Sequence, residues 1–274
     1  MKNKFRIVSI IVAVAIAISA VGLTVYAKTI YQQDGYDYSP LTESTVSVCG
    51  WDNRDTSLRI PKTLGELYVG EIDDNAFKDN TVITSVNFGS AVQLERIGVY
   101  AFYGCTGLSG EVVIAGKIKT VDTSAFENCT SIESVSFYSA RLSNITAQCF
   151  CGCTSLTTVQ LPYSLNTIDK YAFADCPSLS YVMIPNSVNY INPTAFYNCP
   201  NLVIYCYTGS YAQSFAIEYG YNYVLLDAPE PTEAPTEAPT VAPTEVPTEP
   251  VTPTEEPTIA PTEAVTEAPT EASG

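Results

Sequence analysis

The sequence predicts a solenoid, a stack of similar coils that each add one short strand to a parallel β-sheet, and three regularities predict it. An Ala-Phe pair returns at Ala76-Phe77, Ala101-Phe102, Ala125-Phe126, Ala172-Phe173 and Ala195-Phe196, with Cys149-Phe150 in the one gap, at Phe intervals of 25, 24, 24, 23 and 23. An aliphatic residue precedes each Phe by five (Ile72, Ile97, Val121, Ile145, Ile168, Ile191), and another follows it by six (Ile83, Leu108, Ile132, Leu156, Leu179, Leu202). A cysteine follows the Phe by three at Cys105, Cys129, Cys153, Cys176 and Cys199. Apolar residues held in phase at such a period mark an architecture in which no unit buries its own core and stacking does it instead.

Within a unit the apolar spacing Leu156-x-x-Val159-x-Leu161, then Leu165 and Ile168, is that of a leucine-rich repeat. Period-two alternation in the strand points Val159 and Leu161 inward and Thr158 and Gln160 outward, and Val182 and Ile184 inward around Met183. Each buried Phe, Ile or Leu contributes about 1.5–3 kcal/mol. The Phe column is therefore the spine of the core.

From the N-terminus, Lys2, Lys4 and Arg6 precede an apolar run, Ile7 to Val25, that ends in Val25-Tyr26-Ala27. This is the layout of a signal peptide, residues 1–27, cleaved after Ala27. The run is nearly as long as the roughly 20 residues that span a bilayer, so an uncleaved anchor is the alternative. Residues 28–63 form an N-terminal cap, in which Thr45 to Trp51 and Ser57 to Pro61 are expected to supply short strands that close the first coil. The repeats occupy residues 64–204 in about six units. Residues 205–227 form the C-terminal cap, an amphipathic helix over Gly209 to Ala216 and a strand over Tyr223 to Leu226, required because the last coil has no successor to cover its core. Residues 228–274 hold 11 of the 18 prolines and 10 glutamates in a Pro-Thr-Glu-Ala theme. Recurrent Pro and like charge predict a disordered, extended stalk or linker. It carries no Leu-Pro-x-Thr-Gly signal, so wall attachment by that route is not expected.

One unit runs Ala172-Phe173-Ala174-Asp175-Cys176-Pro177-Ser178-Leu179-Ser180-Tyr181-Val182-Met183-Ile184-Pro185-Asn186-Ser187-Val188-Asn189-Tyr190-Ile191. It resembles, almost residue for residue, the BspA-like (treponemal-type) leucine-rich repeat, and the likeness extends from about Leu58 to Leu226. Three departures stand out: Asn80 in place of Cys, extra residues near Ser109-Gly110-Glu111, and Cys149 in place of Ala. The resemblance implies a leucine-rich-repeat solenoid with one parallel strand per coil, an irregular, 3-10 or short helical convex side, and a capping helix and strand. It also implies surface interaction with host matrix proteins, other cells or protein partners.

Composition excludes much chemistry. The chain has no histidine, which removes Ser-His-Asp and Cys-His pairs and His-ligated metals. Lys+Arg is 13 against Asp+Glu 29, a net charge of −16, so nucleic acid is not an expected partner. Nine cysteines, an odd number, cannot all pair within one monomer. The five in the column are read as buried free thiols that fill space. Cys149, Cys151 and Cys153 form the one cluster open to a soft metal, but no second Cys-x-x-Cys pair completes a site. Cys49 and Cys206 lie near opposite ends. Asp73, Asp74, Glu95, Asp122, Glu133, Asp169 and Asp175 read as solvated turn residues, and no phosphate loop, EF-hand loop or nucleophile elbow is present. The sequons at Asn128 and Asn144 are discounted, Asn128 because it adjoins a core cysteine.

What remains is recognition. The outward strand positions give a row, Asn87, Ser136, Tyr138, Thr158, Gln160, Tyr181 and Met183, of neutral polar and aromatic side chains suited to a protein or a glycan. Against this stands chance, since 19 tyrosines must fall somewhere on so extended a surface. The expected function is that of an exported, non-enzymatic interaction or adhesion module, secreted and cell-surface associated, with no cofactor, no metal and no membrane contact beyond an uncleaved signal. A carbohydrate-binding accessory module is the alternative, to be recognised by tyrosines stacked at sugar spacing.

Overall fold

The computed structural model describes residues 11–19, 22–52, 55–138 and 140–226, with side chains from Thr29 onward. The tail expected over 228–274 lies outside the described residues. Among the described residues no helix is long and apolar enough to cross a membrane.

The chain is a parallel β-solenoid, and each coil touches its neighbours along three lines. The first is a sheet whose strands Gly110–Val113, Ile132–Ser136, Thr158–Gln160, Tyr181–Met183, Val203–Tyr207 and Asn222–Leu226 stack in sequence order. They are in register: Ser134, Thr158, Tyr181, Val203 and Asn222 form one row, and Ser136, Gln160, Met183, Tyr205 and Val224 the next. The second line is a ladder of two-residue strands, which pairs Arg96 with Thr120 and stacks Asn144, Thr167 and Tyr190. The third is the Ala-Phe turn between them. As the alternation requires, Val159, Leu161, Val182 and Ile184 are fully or almost fully buried.

The turn is built by alternation of backbone hand. Two residues before the Phe, Asn75, Tyr100, Ser124, Gln148 and Tyr171 have φ of 56–60°. Two residues after it, Asp79, Gly104, Asn128, Gly152, Asp175 and Asn198 have φ of 55–73°. Left-handed residues in alternation aim every second N–H at the next coil, while the N–H groups between them close short turns within the coil. Thus Phe77, Phe102, Phe126, Phe150 and Phe173 donate to the carbonyls of Ala101, Ala125, Cys149, Ala172 and Ala195 at 2.8–2.9 Å. The flanking left-handed residues donate alongside, Ser124 to Ala147 at 3.0 Å and Asn128 to Cys151 at 2.8 Å. After the Phe the position is filled only by Asp, Asn and Gly, the residues that tolerate this region at least cost. The two glycines there have a second reason. A Cβ on Gly104 would lie 2.4 Å from Asp79 Oδ1, and one on Gly152 would lie 2.3 Å from Asn128 Oδ1.

The ladder sets the spacing of the spine. The Phe rings from Phe77 to Phe196 stack at centroid distances of 5.0, 5.0, 5.4, 5.6 and 5.5 Å, and the last four steps are within 7° of coplanar. Phe88 and Phe137 meet this stack edge-on. The cysteine column has a polar task as well as a packing one. Cys105, Cys129, Cys153, Cys176 and Cys199 each direct the thiol at the carbonyl of the Phe one coil back, at 3.0–3.3 Å. Phe77 belongs to the first Ala-Phe unit, so no earlier Phe carbonyl awaits a thiol, and Asn80 instead accepts from the N–H groups of Val82 and Ile83. The pairing of Gly110–Val113 with Ile132–Ser136 carries a bulge, at which Gly110 faces Ile132 and Glu111 faces Ser134, leaving Glu133 without a counterpart.

Coil geometry begins before the Ala-Phe repeats. Ser57–Arg59 pairs parallel with Ser85–Asn87, while Thr45–Trp51 pairs parallel with Leu67–Ile72, so the two N-terminal strands lie on different lines of the solenoid. Tyr36–Pro40 pairs antiparallel with Thr45–Trp51. Before it, Ile11–Ser19 and Gly22–Gln33 pair as an antiparallel hairpin. Cleavage after Ala27 would leave Tyr31, Gln32 and Gln33 paired with Tyr38, Asp37 and Tyr36. At the other end the helix Tyr211–Tyr219 is capped by Ser210, whose side chain accepts from the Gln213 N–H, and by left-handed Gly220. Phe215 packs edge-on against Phe196, and Tyr221 donates to the Phe196 carbonyl at 3.2 Å, which ends the spine.

Ser124 combines a left-handed backbone, at φ 58°, with a buried hydroxyl that has no hydrogen-bond partner. Ser124→Gly is expected to stabilise the protein by about 1 kcal/mol, and Ser124→Val to destabilise it by about 2 kcal/mol, in urea unfolding. Equal midpoints for the two variants would show that the backbone hand at this position carries no cost.

Candidate binding surface

The outer face of the six-stranded sheet gathers side chains from consecutive coils, because register pairing leaves each outward residue beside its counterpart. Gln160, Met183 and Tyr205 adjoin in one row, and Thr158, Tyr181 and Val203 in the other. Tyr181 and Tyr205 are diagonal neighbours, with ring centroids 4.5 Å apart at 43°. Burial raises the Tyr181 hydroxyl pKa, and the nearby Tyr205 and Tyr163 add to the effect. The phenol is therefore neutral throughout the physiological range and available as a donor.

The row expected from sequence is divided. Thr158, Gln160, Tyr181 and Met183 stand together, with Thr158 exposed and the other three half-buried. Asn87 lies apart in the two-stranded sheet, opposite Arg59, where its side chain accepts from the Gly89 N–H at 2.8 Å. Ser136, expected to point outward, is only 3% exposed. Its register partner is Val113, and its hydroxyl reaches diagonally to donate to Glu111 Oε1 at 2.6 Å. Tyr138 is half-buried and lies beyond the end of its strand, Ile132–Ser136. Tyr205 is the participant absent from the expected row. It lies nine residues after Phe196, where Gln160 and Met183 lie ten after Phe150 and Phe173, so the frame carried one coil further lands on Cys206 instead.

This face is nearly uncharged in a chain of net charge −16. In its two rows only Glu111 carries charge, and Ser136 occupies one of its oxygens. Glu133, on the strand Ile132–Ser136, is exposed outside those rows, and the charges that join coils lie on the other lines of the solenoid. Arg96 contacts Glu71, Asp74 and Asp122, Lys119 meets Glu95 at 2.8 Å, and Asn144 and Asn198 donate to Asp169 and Asp175. Several carboxylates read as solvated turn residues are thus inter-coil links. Among the described residues no three Cys, Asp or Glu converge as metal ligands.

No disulfide joins the described cysteines. Burial pushes Cys105 up to about 12 and raises Cys129 and Cys153, which holds these thiols protonated, whereas the side-chain hydrogen bond with Cys176 lowers Cys199. In the Cys149, Cys151, Cys153 cluster the outer two are buried and only Cys151 is partly exposed. Burial, with Glu127 and Asp175 nearby, raises Cys151 to about 11.

Among protein families, the one described as BspA type leucine rich repeat region matches residues 70–203 in six copies. A Treponema pallidum leucine-rich repeat protein of known structure is 22% identical, with 64% of this chain and 70% of that one covered and a TM-score of 0.42. A leucine-rich repeat protein from Bacteroides ovatus is 21% identical over 64% of this chain and 55% of that one, with a TM-score of 0.46. A leucine-rich cell surface protein from Faecalibacterium prausnitzii is 16% identical over 69% and 97%, with a TM-score of 0.30. No curated protein matches the chain.

Maleimide labelling of the native protein is expected to modify Cys151 well before the column thiols, which should react only on unfolding. A raised pKa leaves little thiolate at neutral pH, so the Cys151 rate should climb about ten-fold per pH unit through pH 9 without levelling. A plateau below pH 9, or column labelling at the rate of Cys151, would contradict the assignment.

Proposed function

We propose that this chain, whose residues 70–203 are a BspA-type leucine-rich repeat region, is an exported, non-enzymatic module that binds a protein partner at the bacterial cell surface through the outer face of its parallel sheet. Leucine-rich repeats of this kind generally serve protein interaction, and the finer statement rests on particular residues. The observation that carries it is the Tyr181–Tyr205 pair, set beside Met183 and Gln160 on a sparsely charged face of a strongly acidic chain. Aromatic and Met side chains flanked by neutral donors and acceptors are the composition of interaction hot spots. The strands beneath them are fixed by ladders on three lines, so association orders little backbone and loses little entropy.

The ends of the chain fit the same reading. The basic, then apolar, N-terminus supports export with cleavage after Ala27. The Pro-Thr-Glu-Ala tract over 228–274 supports a stalk, and if fully extended it would reach roughly 140 Å at about 3.1 Å per residue. A glycan partner is less well served. Sugar rings stack on flat aromatic platforms, whereas Tyr181 and Tyr205 are tilted by 43° and the exposed pair Tyr171 and Tyr197 stand at 89°.

Solid-phase binding to immobilised extracellular-matrix and bacterial surface proteins, beside a panel of insoluble polysaccharides, tests the proposal. Saturable binding to a protein is expected, with about ten-fold or greater weakening by Tyr181→Ala combined with Gln160→Ala and an unchanged unfolding midpoint. Binding confined to polysaccharides, or protein binding indifferent to the double substitution, would contradict it.

A further inference from the structure

A terminal unit of a solenoid ordinarily turns a polar face outward, because no further coil covers it. The C-terminal cap of this chain does the opposite. The helix leaves Tyr211, Ile217 and Tyr219 exposed, and the strand Asn222–Leu226 leaves Tyr223, Val224 and Leu225 exposed. Ile217, at 61%, has the highest fractional exposure of the large apolar side chains among the described residues.

The strand is also the outermost of its sheet. Val203–Tyr207 pairs with its inner edge, and its outer edge offers alternate N–H and C=O groups to whatever approaches. Native edges are usually guarded by Lys, by Pro or by an inward charge. Residues 219–226 contain none of these, and Glu218 and Asp227 bracket the segment without entering it. The sequence that follows is poorly suited to be the missing strand. It carries 11 prolines between 229 and 269, and Pro cannot donate to a ladder.

We propose that this edge pairs antiparallel with the same strand of a second copy, about a two-fold axis at Val224. Such a pairing sets Tyr223 opposite Leu225 and Asn222 opposite Leu226, and continues the sheet from one copy into the next. It also brings the two helices' apolar flanks toward a common interface, since the helix packs beside this strand and the Val203–Tyr207 strand within one copy. Charge selects a second copy as the occupant. Residues 28–226 hold 18 Asp and Glu against 10 Lys and Arg, a net −8, while residues 219–226 hold none of them, so strand meets strand here without like-charge contact and Glu218 and Asp227 lie outside the paired segment. A two-fold, self-complementary patch is also the arrangement that closes rather than polymerises.

Sedimentation velocity of the full chain in about 0.15 M salt, where exposed charges are screened beyond roughly 8 Å, tests the pairing directly. Between about 1 and 100 µM the parent should pass from monomer to dimer by mass action. Leu225→Glu and, separately, Ile217→Glu should each weaken the dimer about ten-fold or more by placing like charges across the axis. The Tyr181→Ala, Gln160→Ala double variant should dimerise as the parent does, which separates this interface from the proposed partner face. Amide exchange in the parent supplies a reading independent of any variant: residues 222–226 should slow as concentration rises. A monomer at the highest concentration, growth beyond the dimer, or exchange at 222–226 independent of concentration would overturn the proposal.

Discussion

Each coil of this protein is hung from the next by N–H groups that leave the Ala-Phe turn at every second residue. To aim them the backbone must enter the left-handed region twice per turn, at about 1–2 kcal/mol for an ordinary side chain. The alternative costs more, because a buried N–H without a partner forfeits about 1–3 kcal/mol and several would be stranded in each coil. The sequence softens the first cost by placing Asp, Asn or Gly after every Phe. Much else follows from the ladder. It holds successive turns one strand spacing apart, which brings the Phe rings to 5.0–5.6 Å. It also leaves room at the cysteine position for a small group with a weak donor, and the thiol uses both properties, since it fills the space and reaches the Phe carbonyl of the previous coil.

The same constraint shapes the surface. A backbone tied on three lines has little freedom to rearrange, so functional variety is confined to side chains that point outward from a fixed lattice. On the line of the two-residue strands those side chains are charged and amide groups that bind coil to coil, as Arg96 does with Glu71, Asp74 and Asp122. On the sheet they are hydroxyls, amides and aromatics with few bonds to one another. The division leaves one face engaged in holding the stack and another available for contact.

The repeat, the Phe spine, the inward strand residues and the cysteine column were legible because each is a single residue type recurring in phase, and burial follows from that recurrence. The left-handed column after the Phe was written just as openly in Asp79, Gly104, Asn128, Gly152, Asp175 and Asn198. Its meaning, however, depends on where N–H groups point rather than on hydrophobicity. Its counterpart before the Phe, occupied by Tyr100, Gln148 and Tyr171, carries no compositional signal at all. The binding face was partly legible. Thr158, Gln160, Tyr181 and Met183 were placed by alternation, but Ser136 is engaged by Glu111 from the preceding coil, a contact that alternation within one strand does not reveal. Tyr205 went unseen because its coil is one residue shorter between Phe and strand. The apolar flank of the cap was hidden differently, since an amphipathic helix shows which side is buried and not what meets the other.

Native-state amide exchange across a denaturant series measures the ladder most directly. If the turn bonds coil to coil as described, the amides of Phe126, Phe150 and Phe173 exchange only through global unfolding, at least as slowly as those of the sheet strand Thr158–Gln160. Local opening of these turn amides, faster than the strand amides and insensitive to denaturant, would contradict the account and return the burden of coil-to-coil attachment to the sheet alone.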